Sequence, residues 1–202
     1  MSPKVESLWL YSVYRGSTDG FTDGRAAWFD TGEVMHHEVR EFMDSMSTPR
    51  AHHSASVLED MIFVCGGESG YDRPLCSVEM LDFPNFVWVT IEPMLGHRMH
   101  HRAHVVAGSI YVFGGLSLRG RCVGLCERYN IDDHAWEGMS AMSLPRLDCG
   151  TAVVGQSIYA LGGSDDEGVV VGMVELFDVY VEEWRRLVPM IRPRVDFATC
   201  IL

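Results

Sequence analysis

Short runs of apolar and β-branched residues, each closed by a turn signal, recur along most of the chain. From residue 46 onward they keep a fixed order. Residues 54–58 read as a strand, Glu59-Asp60 as a hairpin turn, and 61–65 as a second strand ending at Gly66-Gly67. After a polar loop, 77–82 form a third strand, Pro84-Asn85 turn the chain, and 87–91 around Trp88 form a fourth. The order returns as 103–106, Ala107-Gly108, 110–113, 126–130 and the segment about Trp136. It returns again as 151–154, 158–161, 174–178 and the segment about Trp184. Residues 190–202 start it once more and supply one strand, ending at Ile201-Leu202. Residues 1–45 carry strand-like stretches at 7–14 and 26–30; residues 33–42 supply a third, of which 38–42 reads equally well as a short helical turn.

The order has a period of 48 residues, shared by Arg50, Arg98, Arg146 and Arg194, by Glu79, Glu127 and Glu175, and by Trp88, Trp136 and Trp184. The pairs Gly66-Gly67, Gly114-Gly115 and Gly162-Gly163 keep the same phase. Four residue types in one register establish a repeat, and four short antiparallel strands per repeat of about 50 residues describe a propeller blade. The fold class is all-β. On Pro49-Arg50, Gly66-Gly67, Val78-Glu79 and Trp88, with their counterparts in two further units, the chain resembles the kelch-repeat β-propellers. The expected division is a degenerate or partial blade at 1–45, full blades at 46–93, 94–141 and 142–189, and the first strand of a further blade at 190–202. The two ends either share a composite fourth blade that closes the ring, or are the ends of a piece of a longer array. An open blade would expose sheet edges.

Charge narrows the partners. Sixteen Lys and Arg stand against 28 Asp and Glu, a net charge of −12, which argues against nucleic acid or an anionic membrane. Lys4 is the only lysine, so the positive charge is almost wholly guanidinium, suited to carboxylate pairing and stacking. Glu6 lies in an N-terminus without an apolar core, so no secretory signal is expected; no apolar run approaches the roughly 18 residues of a membrane span. Six cysteines at no metal or disulfide spacing point to a reducing setting, cytoplasmic or nuclear, with cytoplasmic the expectation.

The repeated residues read as framework. Gly66, Gly67, Gly114, Gly115, Gly162 and Gly163 sit where a strand leaves the sheet near the crowded axis. Trp88, Trp136 and Trp184 read as apolar wedges against the next blade. Arg50, Arg98, Arg146 and Arg194, with Glu79, Glu127 and Glu175, suggest one buried or half-buried ion pair per blade, with the fork of Arg98 tying the lead-in loop to the third strand through Glu127. First strands should be lined by small residues, but the second unit has Arg102 and His104. Those two either face a wet channel or distort the blade. His97, His100, His101 and His104, with His52 and His53, suggest metal, yet alternate residues of a strand face opposite sides. They therefore read as polar rim residues, and neither metal nor cofactor is expected; a zinc site recruiting His52 is the alternative.

The resemblance implies that the loop leading into strand one and the loop after Gly-Gly line one mouth and grip a partner peptide. Carried onto this chain, the lead-in positions are His52, His100, Asp148 and Asp196, joined by Arg102. The post-glycine loops contribute Glu68, Tyr71, Arg73, Ser117, Arg119, Arg121, Asp165, Asp166 and Glu167. The residue after each marker arginine is Ala51, Met99, Leu147 or Val195, where kelch substrate adaptors often have serine. Arg119 and Arg121 against Asp165, Asp166 and Glu167 predict a mouth with one basic and one acidic sector. The expected function is a protein-interaction module and not an enzyme: the substrate-recognition part of a ubiquitin-ligase adaptor, or a cytoskeletal scaffold with actin as a partner. The alternative is a propeller enzyme such as a kelch-type sugar epimerase.

Overall fold

Alternation within single strands shows how the sheets are oriented. In β4 (Ser54–Leu58), Ser54, Ser56 and Leu58 are buried while Ala55 and Val57 are exposed, the two-residue period of a pleated strand. The computed structural model describes residues 9–11, 33–36, 39–42 and 45–200, less 60, 71–72, 83–84 and 86. These residues form strands, with no helix among them, and so none long and apolar enough to cross a membrane. β4 pairs with β5 (Met61–Cys65), then β6 (Val78–Asp82) and β7 (Val87–Ile91), in one antiparallel sheet. A second sheet runs β8 (Arg102–Val106), β9 (Ser109–Phe113), β10 (Cys126–Asn130), β11 (Ala135–Met139). A third runs β12 (Gly150–Val154), β13 (Ser157–Leu161), β14 (Val174–Asp178), β15 (Glu183–Arg186). Ala107-Gly108, with φ of 49° and 73°, makes the two-residue turn that sets Val106 opposite Ser109.

The cores lie between sheets. One contains Leu58, Phe63, Cys65 and Val78 of the first sheet with Ile110, Val112, Tyr129 and Trp136 of the second. The next contains Val106, Tyr111 and Phe113 with Ile158, Ala160 and Phe177. Second strands are covered on both faces, which is why β5 and β9 read as nearly unbroken apolar runs. Sheets stacked face to face in this way, with their first strands adjacent, are the blades of a propeller.

Each blade is fastened by a buried arginine. Arg50, Arg98 and Arg146 are among the largest fully buried side chains. Arg50 Nη2 donates to Glu79 Oε1 at 2.5 Å, while Nη1 donates to the carbonyls of Gly66 and Ser77 at 2.9 and 3.0 Å. Arg98 pairs with Glu127 and donates to Gly114 and Leu125 carbonyls. Arg146 lies 3.0 Å from Glu175 Oε2, off the hydrogen-bond direction, so attraction of charge holds that pair. One guanidinium nitrogen thus reaches the carboxylate and the other takes backbone, instead of a two-pronged grip on the acid. The carboxylates also accept lead-in amides: Glu79 takes Ser47 and Thr48, and Glu127 takes Leu95 and Gly96.

The glycine pair seats the following blade. The Gly67, Gly115 and Gly163 amides donate to the carbonyls of Arg98, Arg146 and Arg194 at 3.0, 3.0 and 2.7 Å. Gly115 has φ of +96°, and a Cβ there would lie 2.5 Å from Met99 O and 2.8 Å from His101 Cβ, so neither conformation nor space admits another residue. Tryptophans fasten the outer edge. Trp136 Nε1 donates to Glu92 O at 2.9 Å and Trp184 Nε1 to Ser140 O at 3.0 Å, each reaching back one blade.

At the N-terminal end, β1 (Trp9–Tyr11), β2 (Glu33–His36) and β3 (Val39–Phe42) form a three-stranded antiparallel sheet. Residues 39–42 are therefore strand and not a helical turn; the strand expected at 26–30 lies outside the described residues. At the other end, Thr199 Oγ1 bonds the Thr151 backbone and Phe197 crowds Gly150, so 197–199 run beside β12 without forming a strand. Among the described residues no strand from 195–200 pairs with β1–β3. Ring closure by the two ends therefore stays a proposal, with the contact at Thr151 as its support.

Removing one partner of a buried pair strands the other charge. Glu127→Ala is expected to lower unfolding free energy by ~3–5 kcal/mol, read by denaturant unfolding. A loss near zero would remove the pair from the framework.

Candidate functional site

The residue two places after each marker arginine is forced into an unusual backbone conformation. His52, His100, Asp148 and Asp196 have φ of 52°, 55°, 50° and 49°, a region that side chains with a Cβ rarely occupy. The next blade explains it. The amides of His100, Asp148 and Asp196 donate to the carbonyls of His52, His100 and Asp148 at 3.0, 3.2 and 3.0 Å. Four lead-in turns from successive blades are thereby hydrogen-bonded into one row at the mouth.

The side chains of the row touch. The rings of His52 and His100 stack with centroids 3.9 Å apart, and His100 Nδ1 lies 3.0 Å from Asp148 Oδ1. Glu68, almost fully buried, places Oε1 3.5 Å from His52 Nε2. Its backbone is bridged to Ala51, as Leu116 is to Met99 and Ser164 to Leu147. The two imidazoles are driven apart electrostatically. The hydrogen bond to Asp148 raises His100 above its ordinary value, against the effect of burial. Burial, then the neighbouring His100, lowers His52, and the nearby carboxylates offset this only in part. Near neutral pH the row therefore holds one imidazole that retains a proton more readily than usual beside one that sheds it.

The remaining predicted site residues are placed elsewhere or engaged differently. Arg102 stays in regular strand pairing and is half-buried: its Nε donates to Cys149 O at 2.9 Å, and His104 Nε2 lies 2.7 Å from Thr151 Oγ1, so both fasten β8 to the next blade. Arg121 Nε lies 3.3 Å from Asp166 Oδ2, and Asp166 Oδ1 accepts the Cys122 amide at 2.5 Å. The basic and acidic sectors are thus joined across two loops, which corrects the expectation of two separate charged faces. Ser117 Oγ donates to Arg121 O, and Asp165 accepts the amides of Glu167 and Val169, all within their own loops. Arg73, Arg119 and Glu167 are exposed; Tyr71 lies outside the described residues.

One histidine that the sequence suggested as a polar rim residue is not on the rim. His101 is buried between blades, its Cβ against Gly115 and Cε1 against Gly66. Burial first, then the Arg98 charge, pushes its pKa well below 6.5. The Cys65 backbone offsets this only in part, and gives neither ring nitrogen a hydrogen bond of ordinary geometry. Its phase, shared with His53, Cys149 and Phe197, was the available signal. Burial pushes the Cys65 and Cys126 thiols up to about 12, and among the described residues no three His, Cys, Asp or Glu side chains are grouped to hold a metal ion.

Comparison with known proteins adds a family and a fold. A family model of the KLHDC2/KLHL20/DRC7 Kelch-repeats domain matches residues 11–199. No curated protein matches the chain. Among solved structures the fold is similar to that of "Structure of YjhT", with a TM-score of 0.72 at 12% identity, over 82% of this chain. The chain spans 61% of the length of YjhT, and at that identity the likeness is one of fold. It overturns one expectation. The sequence suggested a chain that is not an enzyme, but the propeller shared with YjhT is a scaffold able to carry chemistry as well as binding, so that exclusion is withdrawn.

The buried His101 makes a pH prediction. Its folded pKa lies below the unfolded value of 6.5, so below that value the unfolded chain binds the extra proton. Stability is then undiminished above about pH 6.5 and declines as pH falls toward the depressed native value. Thermal unfolding from about pH 7.5 to 5 should show this decline. His101→Cys, taking the residue of position 149, should flatten it in part, since burial also lowers His53 and His104.

Proposed function

The chain belongs to the KLHDC2/KLHL20/DRC7 Kelch-repeats domain family, and on that premise we propose that it takes a segment of a partner protein across the row formed by His52, His100, Asp148 and Asp196. Kelch-repeat domains are in general protein-interaction modules. The observation that carries the choice of surface is the left-handed backbone of all four residues. Strained positions persist where surrounding structure enforces them, and they cluster at ligand clamps. The repeats enforce the backbone at this position while varying the side chain from His to Asp, which is how a fixed frame presents a specific surface.

Glu68 belongs to the proposed surface, with Arg73, Arg119 and Glu167 as rim contacts that influence encounter more than affinity. The finer role suggested by the family is substrate recognition within a ubiquitin-ligase adaptor or a cytoskeletal scaffold that engages actin. A reducing cytoplasmic setting agrees with six cysteines that are all free thiols. One observation favours a second reading as an enzyme. His100 and Asp148, 3.0 Å apart, have the geometry of a base held by a carboxylate.

The test is affinity capture with the purified chain, comparing wild type, a variant carrying His52→Ala, His100→Ala and Asp148→Ala, and a control away from the row, Asp132→Ala in the exposed turn between β10 and β11. Partner recovery is expected to fall about tenfold or more in the triple variant and to persist in the control. Equal recovery by all three, with the triple variant shown to be folded, would move the interface off the mouth.

A further inference from the structure

Resting on the interaction reading above, we propose that the mouth row selects a cationic side chain of its partner, a guanidinium or an ammonium, and that Glu68 is its buried acceptor. Three carboxylates, Glu68, Asp148 and Asp196, act on the two stacked imidazoles. The chain's own nearby cations do not neutralise them. Arg50 is buried on Glu79 and Arg121 lies against Asp166, while Arg102 sits on Cys149 O, where its charge acts on His101 and His104 and is not among the main charges acting on His52 or His100. The row therefore presents negative charge with only His100 inclined to hold a proton.

Glu68 supplies the independent sign of a missing partner. Its Oε2 is buried and has no hydrogen-bond donor among the described residues, and a buried carboxylate oxygen without a donor is a costly arrangement. Its other oxygen, at 3.5 Å from His52 Nε2, is beyond good hydrogen-bond range. The backbone cannot carry it away, because Glu68 N and O both bond Ala51, at 2.8 and 3.0 Å. Nor is the acid part of the repeated framework: the same phase holds Leu116 and Ser164, neither with a charge. A structural role would call for the residue in every blade, as with Glu79, Glu127 and Glu175.

His52 provides the approach. Its side chain is 32% exposed and lies directly against Glu68. Guanidinium groups stack on ring faces while their N–H donors reach a carboxylate. An acidic segment would meet three like charges instead, and no set of three ligating side chains among the described residues suits a metal ion. The cation competes with protons at the same place. His52 is faced by His100, Glu68, Asp148 and Asp196, and His100 by Asp148, Glu68 and Asp196. Protonated imidazoles repel the ligand, so its affinity rises as pH rises through their titration.

The experiment uses the whole chain with isotope-labelled histidine and four blocked tripeptides, Gly-X-Gly, in which X is arginine, lysine, norleucine or glutamate. The arginine or lysine peptide is expected to shift the His52 and His100 ring signals, and more tightly at about pH 7.5 than at about pH 5.5. Glu68→Gln should weaken that binding roughly tenfold without lowering Tm. Glu68→Leu, the residue of position 116, serves as a second variant of different shape. Norleucine or glutamate peptides binding as well, an unchanged affinity in both variants, or no ring shift with either basic peptide would each overturn the inference. If partner capture nonetheless depends on the mouth, only the cation preference falls. If capture is indifferent to the mouth, the interaction reading falls with it.

Discussion

A guanidinium with no water around it must find its donors' partners within the fold, and that requirement sets the geometry of every full blade. Arg50, Arg98 and Arg146 are buried with a carboxylate from their own third strand and a glycine or neighbouring carbonyl from the end of the second. The backbone of the next arginine then accepts from that same glycine pair. One residue therefore joins three things: the lead-in loop, its own sheet and the preceding blade. Arg194 keeps the backbone half of this arrangement, through Gly163, while its side chain is exposed. Breaking one ion pair should loosen two sheets, because the charge left behind has neither solvent nor partner.

The mouth is a consequence of that fastening. With the backbones of Arg98, Arg146 and Arg194 each held on a glycine pair, the residue two positions later is carried into the left-handed region and bonded to its counterpart in the preceding blade. Side chains at this position have no share in the framework and are free to differ. His52 and His100 stack, and Asp148 holds His100. Deeper along the axis, Ser54, Arg102, His104 and Thr151 tie first strands to the neighbouring blade through bonds to His101 O, Cys149 O, Thr151 and Thr199. The rim gathers titratable groups while the strands below it carry cohesion. Two histidines of one stack are consequently shifted in opposite directions, His52 down by burial and then by His100, and His100 up by its hydrogen bond to Asp148.

The amino-acid sequence alone determined the repeat, the strand order within each unit and the arginine–glutamate pairing, because these recur at a constant spacing of 48 residues, while the four lead-in positions came from the resemblance to kelch repeats. Periodicity converts a one-dimensional pattern into a three-dimensional neighbourhood: residues in one phase occupy equivalent places in adjacent blades. The unrepeated residues had no such guide. Arg121 and Asp166 lie 45 positions apart, out of phase, and looked like separate charged sectors until two loops brought them to 3.3 Å. Arg102 and His104 looked set to face a channel or distort their strand, and nothing in the sequence showed that each also bonds the next blade, at Cys149 and Thr151. Only tertiary structure decided that His101 is sealed between glycine pairs and that Glu68 is buried with an oxygen unmatched. Burial and hydrogen bonding there depend on which backbone the next blade brings close, and spacing along the chain does not record that.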